Sequence, residues 1–244
     1  MTMSLPDALV GALKYIKKFK GKIFVIFAGK NAFLSGEIMS EIACDIALLK
    51  HVGINVVVVH EIPDNADYFG EDKIFISEFA NKDNNIKDIG TLSIAGKISL
   101  KFVSCIAKQD IVAISLVGKQ ESNLLNLLTS GDYIPLISPV FVPDQFMFAA
   151  EFASSLNAEK FIIMSEEEGI LDADEELIPS INLKRLKQLT DEGIITENLL
   201  KPLDACKFAI NNGVNKVHLI KADKHKLIGE IFTDEGVGTI ITKD

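Results

Sequence analysis

The chain has 244 residues, 48% of them hydrophobic and 24% charged, enough for one large α/β domain or two small lobes and too apolar for a disordered chain. A net charge of −9 with no basic cluster on a scale that suits nucleic acid sets that class of partner aside. Cys44, Cys105 and Cys206 lie far apart without metal-ligand spacing and read as reduced thiols of a cytoplasmic protein; no apolar stretch reads as a membrane span, and the N-terminus lacks a signal-peptide core.

Residues 6–19 carry Leu9, Leu13, Tyr15, Ile16 and Phe19 at helical spacing, and Lys17, Lys18 and Lys20 close that helix where cations suit its dipole. Residues 23–27 are a short β-rich apolar run between Gly21 and Gly29, the pattern of a buried parallel strand. A helix over 37–51 and a second buried strand over 54–60 complete a right-handed βαβ unit. Residues 61–88 turn polar and acidic and predict an irregular excursion, with one small strand at Ile74, Phe75 and Ile76.

A helix over 89–108 follows, with Leu92, Ile94, Ile98, Phe102 and Ile106 as its core face, then a strand over 111–116. Residues 124–129 predict a short helix or turn, and 133–137 a strand. A helix over 144–156, a strand over 161–164, a loop over 165–171 and a hairpin turn over 172–178 come next. Helices over 183–192 and 199–211, a strand at 217–220, a helix near 224–232 and a strand over 237–241 close the chain. This alternation predicts an α/β fold with a mainly parallel sheet and helices on both faces.

The first strand and its loop organise the functional reading. Strand, glycine loop and helix bring backbone N–H groups close to a phosphate. Here the strand ends in Phe27 and Ala28, and the nearest cation, Lys30, stands after Gly29. Arg185 is the only arginine and lies in a predicted surface helix, so the chain has almost none of the bidentate forks that clamp carboxylates and phosphates.

Taken in order, these segments resemble the acetylglutamate kinase branch of the amino acid kinase family. The resemblance rests on YIKKFKGKIFVI at 15–26, DIALLKHVGINVVVVH at 45–60, LNAEK at 156–160, EGIL at 168–171, HLI at 218–220 and EIFTDEGVGT at 230–239. It implies a three-layer αβα sandwich as a single domain over 1–244, with an acyl-substrate-side lobe (1–143) and a nucleotide-side lobe (144–244). It also implies phosphoryl transfer from ATP with Mg2+ to the side-chain carboxylate of N-acetylglutamate. A homodimer or higher homo-oligomer and a partner among arginine-pathway enzymes follow from the same resemblance.

The motifs depart from that family. Its first strand ends in a lysine that bridges the phosphates, followed by paired glycines; the lysine position is Phe27 here and the second glycine is Lys30. Its second strand ends in a histidine and a glycine cradle; here His60 is followed by Glu61, Ile62 and Pro63, and Glu61 repels an anion. The substrate arginine falls on Ala80 and the neighbouring aspartate on Asp83. The aspartate that organises the lysines falls on Phe146, and Asp144 reads as a helix cap or a shifted substitute. Pro202 fills the second lysine's slot, with Lys201 one place early, turned by about 100° on a helix.

Candidate site residues follow from that alignment. Lys30 and Lys201 are displaced candidates for catalysis, or else solvated lysines. Gly29, Asn31, Ser165, Glu166 and Gly169 are the nucleotide-side candidates. His60 is a candidate substrate contact, or a packed strand-end residue. No metal-binding residues are assigned, and ATP with Mg2+ is expected only of an active enzyme. Phosphoryl transfer depends on positioned charge, and each lost contact costs on the order of a hundredfold. The leading reading is a kinase-like chain that no longer catalyses the reaction and binds a nucleotide, a metabolite or another subunit; the sensing domain of N-acetylglutamate synthase is an analogy, since it too resembles the kinase and lacks the first lysine. The alternatives are an active carboxylate kinase using Lys30 and Lys201, and a purely structural partner.

Overall fold

The computed structural model describes residues 5–33, 35–63, 84–234 and 236–244. Helix α1 (Leu5–Phe19), strand β1 (Ile23–Ala28), a 3-10 turn (Lys30–Phe33), α2 (Gly36–His51), β2 (Asn55–His60), α3 (Asn84–Ala107), β3 (Val112–Val117), α4 (Ser122–Ser130) and β4 (Tyr133–Ser138) form the first half. The second half is α5 (Gln145–Ser155), β5 (Lys160–Ser165), β6 (Ser180–Asn182), α6 (Leu183–Asp191), α7 (Glu197–Asn211), β7 (Lys216–Lys221), α8 (Lys226–Phe232) and β8 (Thr239–Thr242).

These strands form one sheet in the order β3-β4-β2-β1-β5-β7-β8-β6, parallel except for β7 against β8. Strands from the first half occupy one side and strands from the second half the other, meeting where β1 pairs β5. The three-layer α/β expectation is met. In β1 the side chains alternate between two cores: Phe24 and Ile26 enter the one beneath α2 and α3, while Val25 and Phe27 enter the one beneath α5 and α7. Burying such side chains stabilises the fold by about 1.5–3 kcal/mol each, before the entropy cost of ordering them.

Several expectations need correction. Helix α3 starts at Asn84, ahead of residue 89, and its Leu92 is 43% exposed while Ile94, Ile98, Phe102 and Ile106 are buried. Leu13 of α1 is 48% exposed, whereas Phe19 is buried. The segment over 124–129 is a short helix, one of the two forms expected, and it lies within α4. The short strand β6 was not foreseen, and the last strand starts at Thr239 and runs antiparallel to β7. The turn over 172–178 closes on an antiparallel bridge between Leu171 and Leu177, as a hairpin turn should. Contrary to the sequence reading, one helical window, Gly90–Ala107, is long and apolar enough to cross a bilayer by length and composition, because its only charges are Lys97 and Lys101. Its apolar face packs into the core through Ile94, Ile98, Phe102 and Ile106. The expected strand at 74–76 and the positions Ala80 and Asp83 lie outside the described residues.

The C-terminal segment is held by a buried polar chain. Lys160 Nζ donates to His218 Nε2 at 2.6 Å, and His218 Nδ1 donates to Glu230 Oε1 at 2.6 Å. Glu230 Oε2 accepts the N–H groups of Val237 and Gly238 at 2.7 and 3.1 Å. Gly238 must be glycine: a Cβ there meets the Leu219 carbonyl oxygen at 2.3 Å. Thr239 Oγ1 donates to the Ile178 carbonyl at 2.7 Å and accepts from the Ile170 N–H at 2.8 Å, joining β8 to the loop after β5.

Candidate functional site

The carboxyl ends of β1, β2 and β5 lie side by side, with Ala28 in register with both His60 and Met164. The chain winds outward from β1 in opposite directions on its two sides, so this is the sheet's topological switch, where open α/β sheets bind ligands. A cavity of about 140 Å³ opens there. Lys30 and Glu61 line it from the β1 and β2 loops, Ser165, Glu166 and Glu167 from the β5 loop, Phe146 from α5, and Asn198, Leu199 and Pro202 from α7.

The loop after β1 passes very close to β5. Gly29 N–H donates to the Met164 carbonyl oxygen at 2.9 Å, and a Cβ on Gly29 meets that oxygen at 2.4 Å, so only glycine fits. Lys30 then enters the 3-10 turn, where its N–H donates to Glu61 Oε2 at 2.6 Å and its ammonium pairs with Glu166 Oε1 at 2.6 Å. Glu61 is itself placed by its N–H, which donates to the Ala28 carbonyl at 2.8 Å. The next residue is clamped: Gln145 Nε2 donates to the Ile62 carbonyl at 2.9 Å, and Gln145 Oε1 accepts the Ile62 N–H at 2.7 Å.

The two positions matched to the family's first lysine and its organising aspartate face each other as aromatic rings. Phe27 is buried, and its ring centroid lies 4.5 Å from that of Phe146. Asp144 is the helix cap foreseen, with Oδ1 accepting the Met147 N–H at 2.9 Å. Pro202 has no N–H, so the Asn198 carbonyl has no i+4 partner within α7.

The candidate residues separate in space. Lys30, Ser165 and Glu166 share the cavity. Lys201 is exposed and is not among the cavity's lining residues, while Pro202 beside it is. Asn31 is half-buried in the 3-10 turn, outside the lining. Gly169 lies against β8, where a Cβ meets Thr239 Oγ1 at 2.6 Å. His60 is fully buried, and its Nε2 contacts the hydroxyls of Ser99 and Ser138 at 2.9 and 2.7 Å. Its Nδ1 donates to the Glu61 carbonyl at 3.2 Å, which leaves Nε2 as the acceptor. Burial pulls that imidazole down to about 4, so it is neutral near pH 7 and ties β2 to α3 and β4.

Sequence reasoning missed Gln145 and the place taken by Glu61. The available signal was a carboxylate at the end of the second strand, where the resemblance implies a glycine cradle, and nothing in the sequence says that it reaches the Lys30 amide.

A family model described as the amino acid kinase family matches residues 95–221. Curated relatives include the acetylglutamate kinase of Petrotoga mobilis, 32% identical over 99% of this chain and 94% of its own length. The acetylglutamate kinase of Caldanaerobacter subterraneus subsp. tengcongensis is 33% identical over 97% of this chain and 92% of its own. Among solved structures, N-acetylglutamate synthase of Neisseria gonorrhoeae complexed with coenzyme A and N-acetyl-glutamate superposes with a TM-score of 0.83 at 20% identity. That match covers 99% of this chain, which spans 64% of the synthase chain. The carbamate kinase of Giardia lamblia bound to AMP-PNP has a TM-score of 0.73 at 14% identity, over 92% of this chain and 99% of its own. At these identities the two structures show a shared fold.

Proposed function

The chain belongs to the amino acid kinase family, and from that premise we propose that it is a non-catalytic member of amino acid metabolism, of the acetylglutamate kinase type, acting through ligand or subunit binding. The observation that carries this reading is the contact between Phe27 and Phe146. A transferring phosphoryl group needs a fixed cation at the end of β1 and a carboxylate to hold it in place. At those positions the chain has two packed rings, and the second lysine's position is a proline in the cavity wall. An ADP-release assay with ATP, Mg2+ and N-acetylglutamate tests the reading; turnover at ordinary kinase rates, about 1–100 per second, defeats it.

One observation favours a second reading. Lys30 does line the cavity, beside Ser165 and Glu166. In an active carboxylate kinase with ATP and Mg2+ as cofactors, Lys30 supplies the cation, and Lys30→Met abolishes turnover. Lys201 does not join it there.

We also propose assembly with a second copy. Strand β3 is a sheet edge with Val112 and Val117 57% and 56% exposed, and Leu100 and Leu127 on the flanking helices are 71% and 69% exposed. Open apolar edges of this kind are covered in stable proteins. Light scattering of the purified chain reads a dimer or larger homo-oligomer, and Val117→Lys shifts it toward monomer. A monomer that becomes a complex only with an arginine-pathway enzyme supports a hetero-assembly instead.

A further inference from the structure

Two consecutive amides of the loop after β1 already have acceptors inside the protein. Gly29 N–H is committed to the Met164 carbonyl and Lys30 N–H to Glu61 Oε2. Backbone N–H groups in a glycine loop at the end of a parallel strand are the groups that hold phosphate oxygens in such sheets. A carboxylate oxygen holds that place here. The backbone that carries this carboxylate is also fixed, because the Glu61 N–H donates to the Ala28 carbonyl and both backbone polar groups of Ile62 are bonded to the Gln145 amide. The loop offers no slack either: the Cβ position of Gly29 lies 3.4 Å from Glu61 Oε2 and 2.4 Å from the Met164 carbonyl oxygen. The Lys30 ammonium, the cavity's cation, pairs with Glu166, and Glu167 adds a further carboxylate to the same wall.

We propose that Glu61 is a built-in occupant of the cleft's phosphate position, so that this side chain excludes phosphate-bearing ligands from the cleft. The inference rests on reading the cleft as the family's nucleotide side. A phosphate entering the cavity must displace a charge-assisted hydrogen bond and then face the carboxylates of Glu61, Glu166 and Glu167. Like charges brought together in this way oppose binding strongly, so removing one of them raises affinity by about tenfold or more. Any ligand that the unaltered cleft admits therefore carries no phosphate against the Lys30 amide.

The test is calorimetric titration of the full chain with ADP in the presence of Mg2+, for the unaltered protein, Glu61→Gln and Glu61→Ala. Gln keeps an acceptor on the Lys30 amide and removes the charge; Ala removes both. The unaltered chain is expected to give no saturable heat up to about 1 mM ADP. Glu61→Gln is expected to bind about tenfold tighter than that bound, and Glu61→Ala at least as tightly as Glu61→Gln. Circular dichroism confirms folding of each variant, and Glu61→Gln decides the matter where Glu61→Ala does not fold. The proposal is overturned when folded variants remain blank, or when the unaltered chain binds ADP as tightly as they do. The ADP-release assay stays separate: turnover by the unaltered chain defeats the non-catalytic reading, and blank Glu61 variants without turnover defeat only this inference.

Discussion

The rings of Phe27 and Phe146 stand 4.5 Å apart and tilted by 39°, joining the end of β1 to the first turn of α5. Phe27 lies in the core that also holds Phe148, Ala149 and Leu203, with Phe146 packed against it. The contact therefore contributes to packing. Phe27→Lys places an ammonium in this apolar layer and is expected to destabilise the fold by about 3–5 kcal/mol. Adding Phe146→Asp supplies a partner and recovers part of that loss. Urea unfolding of both single variants and the double variant measures the coupling. Independent, additive effects would show that the two side chains do not meet. On the proposed non-catalytic reading the double variant is expected to give no turnover, because the cavity wall still carries Pro202 where the family resemblance implies a second lysine.

Gly29→Ala tests the close approach of β1 and β5. The new methyl group meets the Met164 backbone oxygen, which cannot move aside without breaking the Gly29 N–H bond to the same atom. The expected loss is about 1–3 kcal/mol, as for other overpacked sites. An unfolding midpoint equal to that of the unaltered chain would mean that the two strands stand further apart.

Much of this fold was legible because its strands are buried on both faces. Residues 23–28, 56–59 and 161–164 are continuous apolar runs at the centres of their strands, and no helix signal competes with them. The cap at Asp144 was legible for a local reason: its side chain reaches an amide three residues on. Strand β6 was not, since Ser180, Ile181 and Asn182 offer one apolar residue and gain their pairing from the distant β8. Helix α8 begins after His225, whose φ of 56° is a tertiary outcome with no sequence marker. The site divides in the same way. Phe27, Phe146 and Pro202 were each readable as a departure from a motif. Their convergence, the Glu61 carboxylate on the Lys30 amide and the Gln145 clamp depend on strands and helices far apart in the chain.

Acid should destabilise the fold through two histidines. Burial pulls His60 and His218 down to about 4 from the ordinary 6.5. Between those values the unfolded chain takes up protons that the folded chain refuses. Stability therefore falls as pH drops from 6.5 to 4, by about 3 kcal/mol per imidazole at full effect. Urea midpoints at several pH values measure the slope. His60→Gln keeps a hydrogen-bonding side chain beside Ser99 and Ser138 and is expected to flatten the slope by about half. An unchanged slope would place the His60 titration elsewhere.

Lys160 gives the opposite end of the pH range its own signature. Burial lowers its ammonium from 10.5 to about 8, with Glu230 opposing that shift and Lys216 and Lys18 adding to it. Its Nζ lies 5.2 Å from the Phe19 ring centroid and donates to His218, so the group closes the space between α1 and the Glu230 chain. Below pH 8 both folded and unfolded chains carry the proton, and the fold bears the full cost of a buried cation. Between pH 8 and 10.5 the folded chain releases the proton first, so this group's contribution to stability rises with pH by about 3 kcal/mol at full effect. Lys160→Met removes the titration while filling similar space, at the cost of leaving His218 Nε2 without its donor. Subtracting the variant's stability profile from that of the unaltered chain cancels the other lysines and tyrosines that titrate in the same range. The difference should climb from pH 8 to 10.5; a flat difference would show that Lys160 keeps its ordinary pKa and that water reaches it.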